Sequence, residues 1–308
     1  MPSDFKDFMA GLAIFQVLLT TICLPLYGYV AWHLHFKPEF RSIGYQIIAS
    51  IAFFDCFHLL QSLASAVYMM TYYGLPAPAE NFLITVLSCS RNGYFLAVPL
   101  LLVLLAYEQY LEISGNKSKK FWNRLSDIGL IVSWLIYLPG TLFMHYFLPD
   151  VKFSLSLNGY TYEGSPLFAF LMGKTCPILL AVASTILFCL VFYVAGLESV
   201  ASSKFSAVRK HFLIEAILIT APLGFLAILG FQSVWQFFSY PLSFAAWNIL
   251  ATLIPVFHML VFIGFDGNVQ AHILHGKRKE MEPEQMPPIR YITFSDVLDV
   301  QEKKVELQ

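Results

Sequence analysis

The sequence predicts an all-α membrane protein, a seven-transmembrane helix bundle with its N-terminus outside and its C-terminus inside. Three observations predict it. Of 308 residues, 57% are hydrophobic and 13% are charged, about half the charged share usual in soluble domains. Seven stretches are apolar enough to cross a bilayer, which takes about 20 residues of helix. Lys and Arg crowd the connections on one side of those stretches. A soluble fold of this length could not hide so much apolar surface.

The first apolar stretch covers residues 8–33 and is too long for a signal-peptide core, so it reads as the first span. The second covers 45–71, the third 82–107 and the fourth 127–147. The fifth covers 166–195, the sixth 212–238 and the seventh 242–265. A Ser239-Tyr240-Pro241 turn divides the last two. Without it, 54 consecutive residues would form one helix, far too long for a hydrocarbon core of ~30 Å.

Orientation follows from the flanking cations. The N-terminus and the even-numbered connections carry only Lys6 and Lys152. The opposite side carries Lys37 and Arg41 in the first connection, then Lys117, Lys119, Lys120 and Arg124 in the third. Lys204, Arg209 and Lys210 follow in the fifth, and Lys277, Arg278, Lys279, Arg290, Lys303 and Lys304 in the tail. Fifteen against two places that side in the cytoplasm. The helix bundle thus spans 1–275, and the polar, Pro-containing tail 276–308 reads as disordered. Before it, residues 267–279 suggest a helix lying along the membrane, with Val269, Ile273 and Leu274 towards lipid and Lys277 to Lys279 near headgroups.

Five cysteines, Cys23, Cys56, Cys89, Cys176 and Cys189, fall in or near apolar stretches without C-x-x-C or metal-ligand spacing. That argues against a disulfide framework. No basic stripe suggests nucleic acid, and no internal repeat suggests a transporter of duplicated halves.

Charges inside the spans are the informative ones. Asp55 sits mid-way along the second span, where a carboxylate in lipid costs roughly 2.5–3.5 kcal/mol on insertion scales. Two readings stand for it: a sodium- or water-linked switch, and a structural hydrogen-bond hub. Arg91 lies about nine residues inside the third span, or ~14 Å along a helix, and Lys174 enters the fifth to a comparable depth. Both come from the outer side, so together they suit a carboxylate or another anion. The competing reading pairs Arg91 with Glu80 or Glu163, or has both cations snorkel outward. Tyr94, Phe95, Trp235, Tyr240 and Trp247 suggest pocket walls, or equally an interfacial aromatic belt. Glu215 follows Arg209 and Lys210 by six and five residues and reads as a simple ion pair with one of them, with a locking contact to the third span as the alternative. Pro222 is expected to kink the sixth span and offer a hinge.

Several of these positions resemble the rhodopsin-like G-protein-coupled receptors. That family carries L-A-x-x-D in its second span, matched by Ile51-Ala52-Phe53-Phe54-Asp55. Its third span ends in D/E-R-Y followed by L-x-I, against Glu108-Gln109-Tyr110 and Leu111-Glu112-Ile113. Trp134 matches its fourth-span tryptophan, and Pro177 and Pro222 match its prolines in spans five and six. Of its N-P-x-x-Y, Ile254-Pro255-Val256-Phe257-His258 keeps only the proline. The family's Arg is Gln109 here, and the connection 148–165 holds no cysteine for the usual outer bridge. The Asn116-Lys117-Ser118 sequon lies in a cytoplasmic connection. This pattern of loss, with Pro25-Leu26-Tyr27, Lys37-Pro38-Glu39-Phe40-Arg41 and the Pro-x-x-His of span seven, is most similar to the nematode serpentine chemoreceptors.

The resemblance implies a chemosensory receptor in the plasma membrane, coupling an extracellular small molecule to a heterotrimeric G protein. It assigns switch and coupling roles to Asp55, Glu108, Gln109, Tyr110, Pro222, Pro255 and His258. Counted back from Glu108, it puts Arg91 near the family's ligand-contact position, alongside Lys174, Tyr94 and Trp235. No cofactor or catalytic chemistry is implied. A retinal protein would need a Schiff-base lysine in span seven, and 242–265 has none. A metal-dependent enzyme would need clustered ligands, yet among His58, His145 and His258 only His58 shares a helix face with a carboxylate, Asp55. A transporter with Asp55, Arg91 and Lys174 along its path is the runner-up.

Overall fold

A computed structural model describes residues 3–71, 77–114, 119–143, 151–154, 159–162, 175–200, 207–229, 240–265 and Val269. The chain is helical throughout these segments apart from one small hairpin. The helices are α1 (Ser3–Phe36), α2 (Ile43–Thr71), α3 (Ala77–Ser114), α4 (Lys119–Leu135), α5 (Cys176–Val200), α6 (Ala207–Leu229) and α7 (Tyr240–Phe265). A single 3₁₀ turn, Pro38–Phe40, links α1 to α2. Strands β1 (Val151–Ser154) and β2 (Gly159–Tyr162) pair antiparallel between α4 and α5, with Val151 opposite Tyr162. α7 begins at Tyr240, so Tyr240 and Pro241 belong to its first turn rather than to a connecting turn. Proline is tolerated there because the first amides of a helix have no intrahelical acceptor.

Among the described residues, four segments are long and apolar enough to cross a bilayer: Ala10–Phe36, Ile43–Tyr68, Thr85–Leu111 and Pro177–Val194. Leu213–Leu226 and Ile249–Phe265 are shorter apolar helices. The surface matches. Ile14, Leu18 and Ile22 of α1 and Phe188 and Phe192 of α5 point outward, while Asp55, His258 and Glu215 are buried. Apolar outside and polar inside is the arrangement a lipid solvent favours.

The neighbours close into a bundle. α1 packs on α2 and α7, α7 on α6, α6 on α5, and α5 on α3, with α4 against α2 and α3. α3 and α4 approach closely at two glycines, as small residues allow in membrane bundles. A Cβ on Gly93 would lie 1.8 Å from the Tyr137 carbonyl oxygen, and one on Gly129 would lie 2.6 Å from Leu104 Cδ1. Beyond Leu135 the fourth helix widens into a π turn, Ile136–Gly140, containing Pro139. Pro139 has no amide for the Leu135 carbonyl and its ring displaces that carbonyl, so the turn opens. Thr141 closes the region: its hydroxyl is within reach of the Tyr137 carbonyl (2.6 Å) and of the Cys89 carbonyl on α3 (2.9 Å).

The interior is uneven along its length. Towards the N-terminal ends of α1, α3 and α7, the buried side chains include Gln16, His58, Gln61, Arg91, Asn92 and Thr252. Past Asp55, in the other direction, Leu34, Ile47, Ile51, Leu101, Leu102 and Phe262 fill the core. Val269 corrects one expectation: it is buried in that core and does not face lipid. An apolar residue just past a helix end gains more by packing on the bundle than by lying on its rim. The rest of the proposed membrane-surface helix and the tail 276–308 lie outside the described residues. Cys23, Cys56, Cys89 and Cys189 are free thiols.

Candidate functional site

At mid-bundle, one carboxylate gathers four helices. The Tyr27 hydroxyl of α1 donates to Asp55 Oδ2 at 2.5 Å, and the Tyr94 hydroxyl of α3 donates to Oδ1 at 2.6 Å. His258 of α7 places Nδ1 2.8 Å from Oδ2. All four side chains are fully buried. Distances of 2.5–2.7 Å are those of hydroxyls bonded to an ionised carboxylate.

His258 fixes the proton count. Its second nitrogen, Nε2, lies 2.9 Å from the backbone carbonyl of Ile219 on α6. Both partners of the ring are acceptors, so both nitrogens carry hydrogens if Asp55 is ionised. In that state the arrangement leaves every donor met. The sequence prepares the second contact. Pro222 of α6 lacks the amide that would bond the Leu218 carbonyl, and Ile219 is the next residue. A helix loosened there can turn a carbonyl towards a neighbour.

α7 repeats the device. Pro255 leaves the Ala251 carbonyl without its helical partner, and that carbonyl and the Arg91 guanidinium are the electrostatic neighbours of the buried His58 ring. His58 also stacks on Tyr94, centroids 4.2 Å apart and 17° between planes. The Ala251 carbonyl is within reach of one ring nitrogen, and the other has no hydrogen-bond partner. Nearby, Gln16 donates from Nε2 to Thr252 Oγ1 at 3.3 Å, and Gln61 from Nε2 to Ser65 Oγ at 3.1 Å. Both amide oxygens lack partners. Turning either amide over only exchanges which atom is left. Each unmet buried group costs about 1–3 kcal/mol.

No protein-family model matches this chain, and no curated protein matches it.

Asp55 was expected to be either a switch or a hub, and its three donors make it a hub. His58, three residues along the same helix, stacks on Tyr94, while His258 makes the contact to Asp55. Side-chain direction decides it, because α7 crosses the Asp55 face of α2 and supplies a donor from 203 residues away. Tyr94, expected on a pocket wall, has its hydroxyl committed to Asp55. Tyr27 was quoted for its sequence context alone, and it is a full member of the network. A fixed tyrosine spacing from a buried acid gives no signal in a single sequence. Arg91 is buried at 9% exposure on the polar side of the hub. Lys174 and Trp235 lie outside the described residues. Phe95 packs edge-on to Tyr94 at 5.3 Å and to His58 at 5.8 Å.

The far end of α3 forms a second, smaller polar contact. Glu108 is not a solvated boundary charge: it is buried, and the Ser126 hydroxyl of α4 donates to its Oε1 at 2.5 Å. Gln109 is buried beside it, and Tyr110 is 46% exposed on the outer face. Glu215 is buried as well. Trp134 of α4 donates from Nε1 to Ser50 Oγ at 3.2 Å and packs edge-on against Phe54 at 4.6 Å. Ser126→Ala is expected to destabilise the fold by about 1.5–3 kcal/mol, the usual worth of a hydrogen bond to a charged group. Thermal unfolding of the detergent-solubilised chain measures it; an unchanged midpoint would place Glu108 in other hands.

Proposed function

We propose that this chain is a seven-transmembrane receptor, N-terminus outside and C-terminus in the cytoplasm, that couples an extracellular small molecule to a heterotrimeric G protein at the plasma membrane. The observation that carries the reading is the Asp55–His258 pair, which ties α1, α2 and α3 to α7 and, through the Ile219 carbonyl, to α6. A single buried contact joining five helices is a two-state element: α6 and α7 either keep it or break it together. Pro222 and Pro255 place loosened backbone at the two contacts that would have to move. The Lys and Arg asymmetry supplies the orientation, and the resemblance to the serpentine chemoreceptors supplies the partner.

In this reading the polar half of the bundle opens to the outside and receives the ligand, with Arg91 favouring an anion. Glu108, Gln109 and Tyr110 lie at the cytoplasmic end of α3, where a G protein would engage.

The test is a cell-based G-protein activation assay with a panel of small anions, scored with surface expression. Arg91→Ala is expected to abolish the response to an active anion while the receptor still reaches the surface. Ligand-driven flux across proteoliposomes with no G-protein activation in cells would overturn the receptor reading in favour of transport.

A further inference from the structure

The polar half of the bundle does not satisfy itself. His58, Gln16 and Gln61 are 2%, 3% and 5% exposed, and each holds a side-chain atom without a hydrogen bond. A neutral imidazole has one N–H and one lone pair. Even with its N–H turned to the Ala251 carbonyl, His58 keeps an acceptor nitrogen with nothing to accept. The amide oxygens of Gln16 and Gln61 are acceptors in the same position. These groups lie at neighbouring levels of the same half of the bundle. Gln16 bonds Thr252, the neighbour of Ala251, His58 faces Ala251 and Arg91, and Gln61 is one turn beyond His58 on the same face of α2.

We infer that this half of the bundle holds a binding site for a small hydroxycarboxylate, its hydroxyls donating to Gln16, His58 and Gln61 and its carboxylate meeting Arg91. The unmet groups call for a ligand rich in hydroxyls, which donate to the His58 nitrogen and to the amide oxygens as placed, and would accept from an amide turned over. The adjacent guanidinium disfavours an ammonium and favours a carboxylate. Arg91 has five N–H donors, so a contact within the protein leaves others for the ligand. The site is wired to the hub. A donor on His58 bears on the ring stacked against Tyr94, and the Tyr94 hydroxyl holds Asp55.

This inference rests on the receptor reading for the side from which the ligand enters, but its test needs no G protein. The full chain, purified into nanodiscs, is titrated with glycerate, with propionate, which lacks the hydroxyls, and with glycerol, which lacks the carboxylate. Glycerate is expected to bind saturably and at least ten-fold more tightly than either. Gln61→Leu, and His58→Phe, which keeps the stack on Tyr94, are expected to bring glycerate to the level of propionate and leave propionate unchanged. His58→Phe should not lower the unfolding midpoint of the ligand-free chain, because it removes an unmet buried acceptor and keeps the stack on Tyr94, whereas Gln61→Leu also gives up the contact to Ser65 Oγ and is expected to lose the worth of that one hydrogen bond. Equal binding of glycerate and propionate, no saturable glycerate binding, or a midpoint lowered by His58→Phe would overturn the site. Water alone meeting those atoms gives the first or second of these outcomes. Selective glycerate binding without signalling would overturn the receptor reading and leave the site intact.

Discussion

Asp55→Ala is expected to destabilise the fold by about 3–5 kcal/mol, the usual cost of removing one partner of a buried ion pair. The loss is large because three donors depend on one side chain. Without it, the Tyr27 and Tyr94 hydroxyls and His258 Nδ1 are left in a dry core with no acceptor. Asp55→Asn should cost less. Its amide oxygen still accepts from one tyrosine, but its NH₂ group points donors at donors. Denaturant unfolding in a lipid mimetic orders the three proteins, and an Asp55→Ala midpoint equal to wild type would remove the hub. Under the receptor reading, the same variants that stay folded should signal without ligand, since α7 is released from α2.

The His258 side can be separated from the tyrosines. His258→Phe keeps the ring volume and drops both polar contacts, to Asp55 and to the Ile219 carbonyl. Contacting residues couple by 0.5–3 kcal/mol in double-mutant cycles. The Asp55→Ala and His258→Phe pair should therefore cost less together than the two single losses added.

How much of this was legible from the sequence depends on distance along the chain. Asp55 was legible because a carboxylate in an apolar stretch demands partners whatever the fold. Pro222 and Pro255 were legible as breaks in helical hydrogen bonding. What was not legible is which carbonyl each proline offers to which ring, since Ile219 to His258 is a contact between helices. The partner of Asp55 is 203 residues away, and no local spacing signals it. Glu108 misled for a related reason. A helix-end glutamate looks solvated until α4 is known to bring Ser126 across it. The polar half of the core escaped notice because Gln16, His58, Gln61 and Arg91 are scattered over three helices, and only packing puts them on one side of Asp55.

Gly93→Leu is expected to prevent the native α3–α4 packing, and Gly93→Ala to weaken it by about 1–3 kcal/mol or more, the usual range for overpacking. The obstacle is backbone. An added Cβ would lie 1.8 Å from the Tyr137 carbonyl oxygen, 2.6 Å from its carbonyl carbon and 3.0 Å from its Cα. No rotamer change relieves that, so the two helices must part. Parting them breaks more than the contact itself. Tyr137 stacks on Phe54 at 4.4 Å and 4° and shares a 3.0 Å hydrogen bond with Ser90, while Thr141 reaches the Cys89 carbonyl. Gly93 also precedes Tyr94, and Phe54 precedes Asp55, so both displaced residues adjoin the hub. Gly28→Ala is the matched control: a Cβ there meets nothing within 4 Å. Alanine is favoured over glycine inside a helix by roughly 0.5–1 kcal/mol, so that variant should be neutral or more stable. Unfolding midpoints compare the two. If Gly93→Ala is as well tolerated as Gly28→Ala, α3 and α4 do not cross where Gly93 meets Tyr137, and the placement of Tyr94 against Asp55 loses its support from that side.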